Sequence, residues 1–387
     1  MSASRLFITA AELVSPVGWG VYAHLDALRT EQSFLKWENG FVQGKLPIKV
    51  REALVEVADE KQHRHQDTLT RLAVLLVRSL AEKVAISTES GVIFGSSRGP
   101  TELLEASFRA HQNGQRLHPL ASPTTTASSL PAAIARELDL SGPSLFVSAA
   151  CSTGIHALIQ AAASIRMGLA RSMITGGAEY ANTAFTLNML TAAKVYTHGE
   201  MDEYPCRPGA DERSGMVLSE GAAALLLESH PASQSIGELI GWGAATEKTS
   251  LTGISSDGSV LIKAIQGALD TAGLTADDID LIVGHGAGTS KGDAAEMQAY
   301  RQIFPEPTPV VWHKWMLGHM LGASACASLI LGLYHLREGW LPPHPYFFIG
   351  HTQRSERRLQ RQRHLLVTAL GFGGNAAAVI VKNSALN

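Results

Sequence analysis

The sequence predicts an α/β protein whose mostly parallel sheets are covered by helices, built from two similar halves. Three observations lead there. Strand-like and helix-like apolar patterns alternate along the chain. The composition (387 residues, 45% hydrophobic, 17% charged, 36 glycines) suits a globular enzyme large enough for two core-bearing units. The two halves also echo each other. In the first, a helix after Cys151 is followed by SMITGGAEY (Ser172–Tyr180) and GMVLSEGAAALLLE. In the second, a helix after His319 is followed by HLLVTALGFGGNAAAVIVK. Each half ends as two apolar strands around a Gly-rich link. The join is expected in the short polar stretch Ser229–Ser235, dividing the chain into 1–235 and 236–387, with the second half opening near Gly237.

The first residues, MSASRLFITAAELVSPVG, carry Arg5 and Glu12 around a short apolar stretch and read as a first strand, not a signal peptide. The segment from Asn113 to Ser129 is rich in Pro, Thr and Ser. Ser144–Gly168 (SLFVSAACSTGIHALIQAAASIRMG) is the most informative part of the chain. Leu145, Phe146 and Val147 suit a strand covered on both faces. From Ile155, apolar residues recur at Ala157, Leu158, Ile159, Ala162 and Ile165, a helical spacing. Cys151 falls at the turn between them. Free N–H groups and the positive end of the helix favour an anion there, so the placement is expected to lower the thiol pKa and make a nucleophile. The plain alternative is a buried structural cysteine.

Two histidines favour the nucleophile. A short strand, Leu281–Val283, runs into Gly284-His285-Gly286-Ala287-Gly288-Thr289, a tight loop open to a ligand. Another strand end leads through Lys314 and Gly318 to His319, just before a helix rich in Ala, Leu and Gly. A Cys, two His and a Lys at strand ends in small-residue loops are harder to explain by packing. His313, His335, His344 and His351 show nothing that sets them apart.

Other classes recede. The net charge is −3 with no long basic run, which argues against a nucleic-acid binder. The locally basic stretch Arg354–Arg363 mixes Arg with Glu and Gln and reads as solvated, with an acidic carrier protein as the alternative partner. No apolar run reaches the roughly 20 residues that span a bilayer, and Met320–Leu333 reads as a buried helix. Cysteines at 151, 206 and 326 suggest neither a disulfide framework nor a metal cluster, and a reducing cytoplasm suits a working thiol.

Over nearly its whole length the chain resembles the elongating β-ketoacyl-acyl-carrier-protein synthases of the thiolase superfamily. VSPVG at Val14–Gly18 is similar to the N-terminal turn of that family. AACSTG matches its nucleophile motif, and Cys206–Glu228 resembles its RPFD…RDGFV.GEGAG…LE segment. His285–Glu296 fits HGTGT…D..E at Thr289, Asp293 and Glu296. Lys314 and His319 fit K…GH, and Leu370–Ala377 resembles the GFGGTNA loop.

The resemblance implies a thiolase-like duplicated fold in five αβαβα layers. It also implies decarboxylative Claisen condensation of malonyl carrier with an acyl chain held on Cys151. No cofactor is implied, because the substrate rides on the phosphopantetheine of an acyl carrier protein. The backbone N–H groups of Cys151 and Phe372 would form the oxyanion hole, and His285 and His319 would stabilise the enolate. Lys314 would tune the field, and Asp293 and Glu296 would organise their loop. Thr289, Gly371, Gly373 and Leu190 would line the path of the substrate, Leu190 standing near the family's aromatic gate. The partners implied are the carrier protein and a second ketosynthase-like chain, identical or a chain-length subunit. The matching family region crosses that interface at Asn113–Ser129.

Departures mark a divergent branch, one serving a specialised polyketide or polyene pathway. Ala287 replaces a Thr, Ser328 stands where the family has a Glu, and Asn375-Ala376 replaces Thr-Asn. Two other readings stay open: a thiolase or initiating synthase using coenzyme A esters, and a non-catalytic chain-length partner, against which Cys151 argues.

Overall fold

The computed structural model describes residues 5–197, 203–210, 212, 215–231, 235–248, 253–304, 308–346 and 357–384. The principal elements of the first half are β1 (Phe7–Ser15), α1 (Thr68–Lys83), β2 (Gly91–Gly95), α2 (Thr101–Gln112) and α3 (Ser129–Glu137). They continue as β3 (Ser144–Val147), α4 (Thr153–Arg166), β4 (Ser172–Glu179), α5 (Ala184–Ala192) and β5 (Gly221–Glu228). Those of the second are β6 (Gly237–Thr246), α6 (Ser259–Ala272), β7 (Leu281–Val283), α7 (Ser290–Ile303), β8 (Val310–Val311), α8 (Leu321–Glu338), β9 (His364–Gly371) and β10 (Asn375–Asn383). His351 and residues 354–356 of the basic stretch lie outside the described residues.

The two halves repeat one sheet. The first runs β3-β2-β4-β5-β1 and the second β8-β7-β9-β10-β6, the same positions in the same order. In each, the first two pairings are parallel and the last two antiparallel, so the sheet is mixed. The sheets meet through only two residue pairs, Phe7 with Glu238 and Ile8 with Gly237. Arg5 clamps that seam with a bidentate pair to Glu238, both contacts 2.6 Å.

Helices α4 and α8 pack against each other and against strands of both sheets, so they form a middle layer. Helices α1 and α3 cover the outer face of the first sheet, and α6 with α7 the outer face of the second. This is the five-layer αβαβα arrangement. The chemistry of α8 explains its place: from Leu321 to Leu333 every side chain is buried, and a helix apolar all round belongs between layers. No helix among the described residues is long and apolar enough to cross a membrane.

One expectation fails. The strand before Cys151 is not covered on both faces. Strand β3 is the outer edge of its sheet, and Leu145 is 55% exposed. Its apolar run signals burial, but a single chain supplies a neighbour only on the β2 side.

Candidate active site

The turn from β3 into α4 is built by its own small residues. Thr153 Oγ1 accepts from the Ala149 N–H (2.8 Å) and donates to the Ala150 carbonyl (2.6 Å). Ser152 Oγ donates to the Ala149 carbonyl (2.7 Å). Those bonds hold Ala150 at φ 49°, a left-handed conformation that costs a residue with a Cβ roughly 1–2 kcal/mol. The sharp bend lifts Cys151 to the front of α4, where its sulfur meets the backbone N–H groups of Cys151 itself and of Phe372.

Burial pushes the Cys151 thiol up to about 12. Lys314 and the two N–H groups pull it down, and Glu179 adds to the rise. This corrects the expectation of a lowered pKa. The helix end does favour the anion, but removal of water from a side chain only 6% exposed outweighs it. Cys151 therefore rests as a thiol.

His285 and His319 face each other with ring centroids 5.3 Å apart at 77°. His319 is placed by a strand-like pairing with residues 217–219: its N–H donates to the Val217 carbonyl (2.7 Å), and its carbonyl accepts from the Ser219 N–H (3.1 Å). Its Nδ1 pairs with Ser324 Oγ at 2.9 Å, which leaves Nε2 to the other side of the ring. Burial, with Lys314 second, pushes both imidazoles well below their ordinary value, so both are neutral near pH 7.

The loop carrying His285 is pinned from beneath. Glu296 accepts the backbone N–H groups of His285 and Gly286 and the Tyr300 hydroxyl. Asp293 accepts from Ala287 N (3.1 Å) and Gly209 N (3.0 Å). Lys314 Nζ donates to the His285 carbonyl. Burial lowers the Lys314 pKa, and Glu296 is the group that most opposes this.

A cavity of about 550 Å³ joins these parts, lined by Cys151, His285, Thr289, His319, Gly371 and Phe372, among others. Five sequence candidates stand outside its wall. Lys314, Asp293 and Glu296 lie under the loop. Leu190 belongs to the apolar cluster that also holds Cys151, Leu187, Tyr196, Met216 and Leu218. Gly373 is exposed in the turn beside Phe372 and does not line the cavity. The departure at Asn375 has a visible consequence, since its side chain donates to the Phe372 carbonyl (3.3 Å) and accepts from Thr246 (3.1 Å).

Sequence reasoning missed two residues. Ser324 orients His319, and its one signal is a hydroxyl five residues after that histidine. Glu179, fully buried at the end of β4, accepts from Ser96 Oγ and from the N–H groups of Ser97, Arg98 and Gly322. Its partners are scattered along the chain, so no local pattern marks it.

Residues 51–232 match the sequence profile described as "Beta-ketoacyl synthase, N-terminal domain", and residues 236–347 that of "Beta-ketoacyl synthase, C-terminal domain". The 3-oxoacyl-[acyl-carrier-protein] synthase 2 of Vibrio cholerae is 27% identical, with 99% of this chain and all of that protein aligned. Among solved structures, a type II PKS acyl-carrier protein in complex with its ketosynthase bound to the hexaketide aligns with TM-score 0.86 at 19% identity, over 99% of this chain and 100% of that one. A ketosynthase in complex with its chain length factor from Xenorhabdus doucetiae gives 0.81 at 22% identity, over 98% of both chains. With an internally repeated sheet, a cysteine at a helix start, two facing histidines and both halves of the profile matched in order, the chain belongs to the β-ketoacyl synthase family.

Proposed function

We propose that this β-ketoacyl synthase, a carbon–carbon bond-forming acyltransferase, elongates an acyl chain held as a thioester on Cys151, using malonyl units carried by an acyl carrier protein. The observation that carries the reading is one cavity lined by Cys151, whose sulfur meets two backbone N–H donors, and by two imidazoles that pack against each other.

In the first half-reaction, the Cys151 sulfur attacks the carbonyl of an acyl carrier thioester. The N–H groups of Cys151 and Phe372 receive the oxyanion, and the carrier thiol leaves with the cysteine's proton. In the second, malonyl carrier loses carbon dioxide. The electron pair of the broken C–C bond passes into an enolate whose oxygen lies between His285 and His319. Neutral imidazoles suit this step, because each presents an N–H to developing charge without a standing positive charge to trap it. The enolate carbon then attacks the acyl-enzyme carbonyl, the new C–C bond forms and the Cys151 thiolate is released. Lys314, Asp293 and Glu296 act by holding the His285 loop, and Thr289 at the cavity wall suits a hydroxyl contact to the phosphopantetheine arm.

We also infer halves at 1–235 and 236–387, supported by the repeated strand order and by profile matches that change over between residues 232 and 236. A second ketosynthase-like chain, a copy of this one or a sister, would cover the β3 edge. A reducing cytoplasm suits three free cysteines.

Intact-mass analysis after incubation with an acyl carrier protein tests the core of this. One acyl group should appear on Cys151 and none on Cys206 or Cys326. Malonyl carrier should then convert it to β-ketoacyl carrier with release of carbon dioxide. Labelling that survives Cys151→Ala, or condensation that runs on coenzyme A esters and ignores carrier-bound ones, would overturn the assignment.

A further inference from the structure

The buried carboxylate of Glu179 has no part in that sequence, yet it stands where the two halves of the site meet. It is fully buried and receives four donors. One oxygen accepts from Ser96 Oγ and the Arg98 N–H (3.1 Å). The other accepts from the Ser97 N–H (2.8 Å) and the Gly322 N–H (2.9 Å). The Gly322 N–H belongs to the first turn of α8, where backbone donors lack intrahelical partners. Met320, at the N-cap, provides no side-chain cap. Glu179 therefore caps α8 from a strand of the other half.

The surrounding backbone is packed without slack. A Cβ at Gly154, in the first turn of α4, would fall 2.9 Å from the Gly322 carbonyl oxygen and from Cys326 Sγ. A Cβ at Gly177 would fall 2.6 Å from the same oxygen. The start of α8 is also bent: Leu321 sits at φ 36°, is buried, and packs in the cluster around Cys151. His319 lies two residues before Leu321, and Ser324, which holds its ring, three residues after. The bend thus separates the imidazole from the hydroxyl that orients it.

We propose that Glu179 is a positioning residue, which fixes the bent start of α8 against the loop 96–98 and so sets His319 at its distance from Cys151. The inference rests on the condensation reading above. A carboxylate meets the requirement best: glutamine would have to turn its NH2 either toward the Ser97 and Gly322 N–H groups, losing two bonds, or toward Ser96 Oγ and the Arg98 N–H, where the hydroxyl can accept but the Arg98 N–H is left facing a like group. The charge has an opposite effect on the sulfur. A negative group nearby opposes thiolate formation, so its removal eases acylation while the misplaced histidine slows condensation.

The test compares wild type, Glu179→Gln, His319→Ala and the double variant, each checked for native circular dichroism. Acyl-enzyme formation and condensation are followed separately by rapid-quench mass spectrometry. Glu179→Gln is expected to acylate Cys151 at the wild-type rate or faster, and to lose roughly 10–100-fold in condensation. In the His319→Ala background it is expected to change condensation less than about twofold, because it acts through that ring. An additive loss in the double variant, equal losses in both half-reactions, or unchanged condensation each overturns the proposal. If Glu179→Gln does not fold, Ser96→Ala removes one donor and leaves the charge; it must slow condensation, selectively and non-additively with His319→Ala, or the proposal fails. A wild-type protein that condenses while these variants behave normally counts against Glu179 alone. One that neither acylates nor condenses counts against the function as well.

Discussion

At the residue scale, the thiol state of Cys151 is decided by opposing terms. Burial raises its pKa to about 12, while Lys314 and two N–H groups lower it. Alkylation by iodoacetamide consumes the thiolate, so its rate should climb about tenfold per pH unit from pH 7 to 9 without a plateau. A plateau near pH 7 would mean that the helix end prevails over burial. Lys314→Met removes a positive charge and should slow alkylation further at every pH in that range. Cys151, His285 and His319 are legible in sequence because each sits in a small-residue loop at a strand end. The sign of the Cys151 shift is not legible, since it depends on how much water the fold excludes from the sulfur.

At the scale of elements, the site depends on close backbone approach. Strand β4 crosses the start of α8 at Gly177, with no room for a methyl group. Gly177→Ala should destabilise the protein by roughly 1–3 kcal/mol and reduce condensation, read from the shift in denaturant midpoint and from turnover. A substitution as stable as wild type would show that α8 can slide. Most elements follow from apolar periodicity alone: Leu281–Val283 is a strand as expected, and the helix after Cys151 begins at Thr153. Strand β3 is the exception. Local sequence gives apolarity, whereas its place at an edge is a property of the sheet.

At the scale of the whole molecule, that edge has a consequence. Leu145 is 55% exposed on β3, which packs against α3. The short helix Ala121–Thr125 bridges α3 to α2, where Leu104 and Phe108 are exposed at 56% and 58%. An unpaired edge beside exposed apolar side chains suits pairing with a second chain. Leu145→Asp should shift the protein toward monomer in light scattering and lower condensation; a wild-type protein that is active and monodisperse as a monomer would refute the pairing.

Stability should also fall in acid. Burial lowers His24 and His344 to about 4 and His335 to about 3. His285, His313 and His319 are lowered as well. A histidine depressed in the folded state stabilises it above the unfolded value of about 6.5, and that stability is lost as pH falls toward the folded value. Glu220, raised to about 7, Asp67, raised to about 6, and Glu102 and Glu179, which burial also raises, act in the opposite direction over part of the window. The histidines outnumber them, so unfolding free energy should drop by about 1.4 kcal/mol per pH unit for each uncompensated histidine between pH 6.5 and 4. Denaturant midpoints that rise or stay flat over that range would contradict the balance.

The sequence by itself determined the alternation of strand and helix, the echo between the two halves, the turn that carries Cys151 and the histidine loops. All of these rest on contacts between residues near one another in the chain, which periodicity and small-residue clusters record. Only the tertiary structure decided which strand lies at an edge, that burial outweighs the helix end at Cys151, and that Glu179 caps a helix 143 residues away. Those outcomes depend on which distant segments exclude water or supply donors, and no local pattern carries that information.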